Sequence, residues 1–130
     1  MSFQATLNLD GKEMRVLHCS FNFNRDVDAT GRPSSRVRGG TIHLEVESTE
    51  DSSLFAWIAG VFDTKDGKVT FLKRDSNTKM KELYWKTGYI ISYTEALDAI
   101  GENPMTIKFT ISAQEVGVDD AAYLNPWPTA

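Results

Sequence analysis

Few residues in this chain are of types and spacings that do chemistry. Asp26, Asp28, Thr30 and Gly31 match the opening of a calcium-binding loop, in which alternate side-chain oxygens ligate the ion. The twelfth position of such a loop supplies a bidentate Glu, and here it is Val37. The context is strand-like and lacks the two flanking helices, so an Asx-turn accounts for the segment. His18 and Cys19 are adjacent, so on a strand they face opposite sides and do not jointly hold a metal. His43 is the only other histidine. One Cys and two His fall short of the four ligands of structural zinc, and a buried thiol with two polar strand residues is the plainer reading. Nucleophilic catalysis needs a base and an orienting partner beside the nucleophile. Neither histidine has such a setting, and there is no GxSxG, phosphate-binding loop or GxGxxG. Asp119 and Asp120 read as solvated charges. The expectation is therefore no catalytic residues, no metal and no cofactor.

The arginines are distributed less evenly. Arg25, Arg32, Arg36 and Arg38 are four of the six in the chain, and all lie in or beside one stretch. A solvated loop is the plain reading. The sharper one is an interface arm, because the guanidinium fork grips carboxylates and arginine is enriched at interfaces. Glu45, Glu47, Glu50 and Asp51 offer a complementary acidic stretch. Pairing between copies then predicts that charge reversal at Arg36 and Arg38 changes assembly. Tyr84, Trp85, Tyr89 and Tyr93 could stack nucleic-acid bases, but core or interface packing suits an acidic chain better.

The elements that must carry these residues are mostly strands. Phe3, Ala5, Leu7 and Leu9 alternate, and Asp10-Gly11 follows as a hairpin signal. Apolar parity switches between Met14, Val16 and Leu17, Cys19, Phe21, Phe23, which predicts a bulge. RDVDATGRPSSRVRGG, Arg25 to Gly40, breaks the pattern as a long loop. Ile42, Leu44 and Val46 resume it. Leu54, Phe55, Ile58, Val61 and Phe62 form one apolar stripe, predicting a helix over about residues 52–62. Ser48 or Thr49 is placed to cap it, with Glu50 and Asp51 at its positive end. Asp66-Gly67 predicts a second tight turn, and Asp75 to Thr78 another. A long strand covers Leu83 to Tyr93, with Gly88 as a kink or bulge. Glu95 to Pro104 connects it to a last strand in which Met105, Ile107, Phe109, Ile111 and Ala113 share one face. From Val116 the chain reads as a polar tail. It is expected to dock on the domain or a neighbour through Tyr123 and Trp127.

Composition narrows the function. The chain has 130 residues, 41% hydrophobic and 25% charged, with a net charge of −4. That suits a single domain, 1–130, with a core of its own. Acidity argues against nucleic acid and against anionic membranes, and no apolar run approaches the ~20 residues of a membrane span. A lone cysteine suits a reducing compartment. The N-terminus lacks the basic and apolar regions of a signal peptide. The pattern is all-β, about seven strands with one mid-chain helix, a barrel or a sandwich.

The stretch LHCSFNFNRDVDATGRPSSRVRGGTIHLEVEST resembles the tube protein of type VI secretion, the Hcp or TssD family, in its short Bacteroidetes branch. ENPMTIKFTISAQ and the closing NPWP support the resemblance, which runs in order over nearly the whole chain. It implies a compact two-sheet β-barrel with one flanking helix. It further implies six-membered rings that stack into a tube inside a contractile sheath, with spike and baseplate proteins as partners and effector proteins in the lumen. Assembly would be cytoplasmic, followed by injection into a neighbouring cell without a signal peptide. The family's loop between early strands joins subunits and rings. Here it is Arg25 to Gly40, so Arg25, Asp26, Asp28, Arg32, Arg36 and Arg38 become candidate interface residues, with Tyr123 and Trp127 from the tail. A small-ligand carrier barrel is the rival, set against by the mid-chain position of the helix and by the large aromatics Phe21, Phe71 and Phe109. A phage-tail-type tube protein would share the architecture.

Overall fold

A computed structural model describes residues 3–35, 38–73, 76, 78–100 and 105–125, without the side chains of residues 3 and 38. Strands β1 (Phe3–Leu9) and β2 (Lys12–Asn24) form the hairpin that Asp10-Gly11 signals. Both turn residues have positive φ, 54° and 75°, the backbone whose twist matches that of the flanking strands. β2 then pairs antiparallel with β3 (Arg38–Glu47), and the register shifts between Val16 and His18, where the apolar parity switches. The extra residue of this bulge keeps Met14 on one side of the shift, and Cys19 and Phe21 on the other, turned toward the core.

After helix α1 (Ser53–Ala59) come β4 (Lys65–Lys73), β5 (Lys79–Leu97), β6 (Met105–Val118) and β7 (Ala121–Leu124). The strand order is β3-β2-β1-β4-β5-β6-β7, and a β3–β6 pairing closes the sheet. The expected barrel is present, and its hydrogen bonding is continuous. β2 and β5 are long enough to span two halves: β2 pairs with β1 up to Arg15 and with β3 from Val16, while β5 pairs with β4 up to Gly88 and with β6 from Leu83 to Leu97. Leu7 and Val69 from one half meet Ile42, Leu44, Phe109 and Ile111 from the other in a single core. Full closure removes most of the sheet's edges.

Three expectations change. The helix is shorter than residues 52–62, and only Leu54 and Trp57 of it are buried. Gly60 takes an extended conformation and ends it, so Val61 and Phe62 never join the apolar stripe and stand exposed. Ser52 holds the cap position without a side-chain bond; the Asp51 carboxylate accepts from the Ser53 amide and hydroxyl instead. Asp66-Gly67 is not a turn but an irregularity inside β4. The Asp66 carboxylate accepts the Thr87 amide at 2.8 Å, and a Cβ on Gly67 would lie 2.5 Å from the Trp85 ring. Glycine is there so that an indole can lie across the strand. Finally, the polar tail begins later than Val116. β6 runs on to Val118, turns at Asp119 and returns as β7. Ile107, Phe109, Ile111 and Ala113 are buried as the alternation requires, whereas Met105 lies at the open end of the strand and is exposed.

Candidate functional site

Among the described residues, no group of three or more His, Cys, Asp or Glu could hold a metal. No charged or polar side chain is buried among the described residues. His18 and His43 lie on the outward polar face of the sheet, and His43 Nδ1 is 3.1 Å from Thr110 Oγ1. Cys19 points the other way, and burial pushes its thiol up to about 11, which keeps it protonated and unreactive. The barrel interior is filled by Trp85, Phe109, Leu7, Ile42, Leu83 and Ile111. Nothing in it resembles the roomy lumen of a ligand carrier. The features that can act are on the surface.

The first is the arm. Residues 25–35 are ordered as a narrow hairpin extending β2 toward β3. Val27 bridges Pro33, and the Ser34 amide donates to Asp26 O at 2.7 Å. The tip is the Asx-turn read from the sequence. Asp28 Oδ1 accepts the Thr30 amide (2.9 Å), the Thr30 hydroxyl (2.6 Å) and the Arg32 amide (3.1 Å). Gly31, at φ 88°, makes the bend. Arg25 and Arg32 are exposed and make no ion pair among the described residues. Asp26 anchors the arm's base through its amide, which donates to Ser35 Oγ. Arg38 opens β3 opposite Asn24. Tyr123, on β7, packs edge-on against Phe23 at 5.0 Å, and Asn125 Nδ2 reaches Gly39 O, so the end of the chain clasps the arm's root. Arg36 and Trp127 lie outside the described residues.

Those hydrogen bonds, led by the Thr30 hydroxyl, hold the Asp28 carboxyl below its ordinary value. A depressed folded-state value means that the contribution is complete above the unfolded carboxylate's pKa, about 3.9, and is lost as pH falls through the lower folded one. The protection of the Thr30 and Arg32 amides, their exchange relative to an unstructured peptide at the same pH, is therefore expected to be constant from pH 7 to about pH 5 and to fall away below about pH 4. Asp28→Ala should remove that protection at every pH and leave the unfolding midpoint of the barrel unchanged.

The second feature is a pair of open sheet edges. Pairing between β1 and β2 ends at Arg15, and pairing between β4 and β5 begins at Gly88. Between these limits lies a four-stranded sheet, β2-β3-β6-β5, whose outer strands over residues 18–24 and 89–97 have no further strand beside them among the described residues. Its outward face is polar: His18, Ser20 and Asn22, then Thr41, His43 and Glu45, then Lys108 and Thr110, then Ser92 and Thr94. Every pairing is antiparallel, so β2 and β5 run in opposite directions.

The third feature is a difference between the sheet's two ends. The arm stands at one. At the other, the Ser48 amide donates to Met105 O and the Ser48 hydroxyl to Glu95, which gathers the ends of β3, β5 and β6. The acidic stretch seen in the sequence is here, but Glu47 is engaged by Arg15 and Asp51 by Lys12. Glu50, Glu95 and Asp98 remain without a cation among the described residues, beside exposed Leu97 and Ile100. The ten residues of β3 separate these ends by roughly 30 Å at ~3.3 Å per residue. The sequence indicated the charges but not the open edges, which follow from which strand pairs with which.

A family model described as Hemolysin coregulated protein Hcp (TssD) matches residues 1–128. Among solved structures the chain is similar to Hcp1 from Flavobacterium johnsoniae, 42% identical over 94% of this chain and 99% of that one, with a TM-score of 0.89. Hcp1 from Salmonella typhimurium is 13% identical, covering 95% of this chain and 92% of its own, at a TM-score of 0.75. The sheath/tube terminator structure of an extracellular contractile injection system is 15% identical, covering 88% and 91%, at 0.58. The last two likenesses speak to the fold alone. Among curated proteins, none matches significantly.

Proposed function

The chain belongs to the Hcp (TssD) family, and from that premise we propose that six copies close into a ring and that the rings stack, arm to acidic end, into a tube. The chain is a structural tube subunit. The observation that carries the ring is the four-stranded sheet with two open edges. Its edge strands run in opposite directions, so a copy placed head-to-tail beside another sets β5 antiparallel to the neighbour's β2. Each seam repeats the pairing used within the subunit, and a closed ring covers both of these open edges. The polar face of the sheet then lines the lumen, a surface suited to passing folded protein without holding it.

Stacking draws on the ends. Arg25, Asp26, Asp28 and Arg32 belong to the arm, whose root Tyr123 braces; Arg36, Arg38 and Trp127 are assigned to the same interface from the sequence alone. The arginines of one ring meet Glu50, Glu95 and Asp98 of the next, and Val27 meets Leu97 and Ile100. Such a contact is heterologous and non-closing, which makes a filament. The work is mechanical and needs no catalytic residue or cofactor. Sheath, spike and baseplate proteins are the partners outside the tube, and effector proteins the cargo within. Assembly takes place in the cytoplasm before expulsion by the machine. No helix among the described residues is long and apolar enough to cross a membrane.

Light scattering on the purified chain tests the reading. Six copies of a 14.5 kDa chain give about 87 kDa, with rings in negative stain. A monomer under every condition that supports stacking of related tube proteins would overturn it.

A further inference from the structure

We propose that the apolar patch of Phe55, Val61, Phe62 and Ile91 receives strand β2 of the neighbouring copy, whose Phe21 and Phe23 pack against it. The proposal rests on the ring described above and assigns the side chains that close its seam.

Four large apolar residues are gathered here and left in solvent. Phe62 is 83% exposed, Val61 79%, Phe55 57% and Ile91 56%. Val61, Phe62 and Ile91 line one shallow groove with Trp57, Ile58 and Tyr89, and Phe55, three residues before Ile58 on the helix, packs edge-on against Tyr93 at 5.8 Å. A patch of this kind on a small protein marks an interaction surface. Phe62 is also held in place. Its φ of 58° lies in the left-handed region, which is unfavourable for a bulky side chain. Two contacts fix the segment there: Trp57 Nε1–H donates to Asp63 O at 2.9 Å, and the Gly60 amide donates to Ala56 O and Trp57 O. The chain tolerates a strained backbone that presents a phenylalanine to solvent, as binding surfaces do.

The occupant follows from position. The groove lies where the open edge of β5 begins, at Tyr89, Ile90 and Ile91. Register fixes the level. Phe21 lies opposite Ile42, Ile42 opposite Ile111, and Ile111 opposite Ile90, so all four share one row across the sheet. A copy set beside the first at the same height brings its Phe21 next to Ile90 and Ile91, and its Phe23 one step further along, level with Gly88. Alternation along β2 turns Cys19, Phe21 and Phe23 toward the side of the sheet that α1 covers, and His18, Ser20 and Asn22 toward the polar face. The arm, at the end of the sheet, does not lie beside this edge. The neighbour's β2 therefore supplies both the strand that the edge lacks and the aromatic side chains that the patch lacks.

The test is Phe62→Glu, which removes no core contact because the side chain is exposed. The variant is expected to keep the wild-type circular dichroism spectrum and to elute as a 14.5 kDa monomer where the wild type elutes as a ring. Rings of unchanged mass would overturn the proposal and leave the patch to a partner outside the ring. A benzophenone amino acid at position 62 identifies the occupant in intact rings. Photolysis is expected to join it to a peptide containing residues 18–24 of another copy. Cross-links confined to any other segment would overturn the assignment. If the wild type itself forms no ring, the tube reading fails, an outcome distinct from either of these.

Discussion

Replacing Trp85 with alanine lowers the stability of the fold by about 3–5 kcal/mol, the usual cost of emptying a large aromatic site in a core. Trp85 is 1% exposed, and it is the largest fully buried side chain among the described residues. Its ring lies against two glycines. A Cβ on Gly67, directly across on β4, would come within 2.5 Å of it, and one on Gly88 within 2.6 Å. Collapse around the cavity is restricted because the walls are backbone, which relaxes less than side chains do. The indole N–H also donates to Lys65 O at 2.9 Å, and alanine leaves that carbonyl unpaired. Urea unfolding followed by circular dichroism, at one protein concentration so that assembly does not shift the midpoint, measures the loss. Trp85→Phe retains most of the packing and should cost less than half as much. A loss below about 1 kcal/mol for Trp85→Ala would mean that the barrel is not organised around this residue.

Reversing charge on the arm, Arg25→Glu with Arg32→Glu, separates stacking from ring closure. Rings near 87 kDa should persist, and tubes in negative stain should disappear. Exposed ion pairs contribute only about 0.2–1 kcal/mol each. Six arms act together at a ring–ring contact, however, so losing one pair per arm removes about 1–6 kcal/mol, and the association constant falls roughly 10- to 10⁴-fold. Reversal adds repulsion from Glu50, Glu95 and Asp98 on top of that. The remedy tests the partner: Glu50→Lys with Asp98→Lys should restore tubes to the arm variant. Tubes unaffected by the arm substitutions would show that stacking uses other contacts. Salt is a second check, because screening at high ionic strength weakens exposed pairs and should dissolve wild-type tubes before it dissolves rings.

The sequence alone determined what depends on near neighbours in the chain. Period-two alternation marked the strands because successive side chains face opposite sides. Asp10-Gly11 marked its hairpin because few residue pairs accept two positive φ values. The parity switch after Val16 marked a bulge, and Asp28 with Thr30 marked an Asx-turn, each through contacts spanning a few residues. The arm's charge and the absence of a catalytic motif were legible for the same reason. What depends on distant pairings was decided by the tertiary structure. Asp66-Gly67 has the same letters as the first hairpin turn, yet it lies inside a strand because Trp85, from another strand, needs the space above it. Val61 and Phe62 have helical spacing with Leu54, yet they stand in solvent because Gly60 ends the helix and Trp57 fixes the chain beyond it. The two open edges and the separation of arm from acidic end arise only when β3 meets β6 across about sixty to seventy residues, and no local pattern specifies which strand a given strand will find.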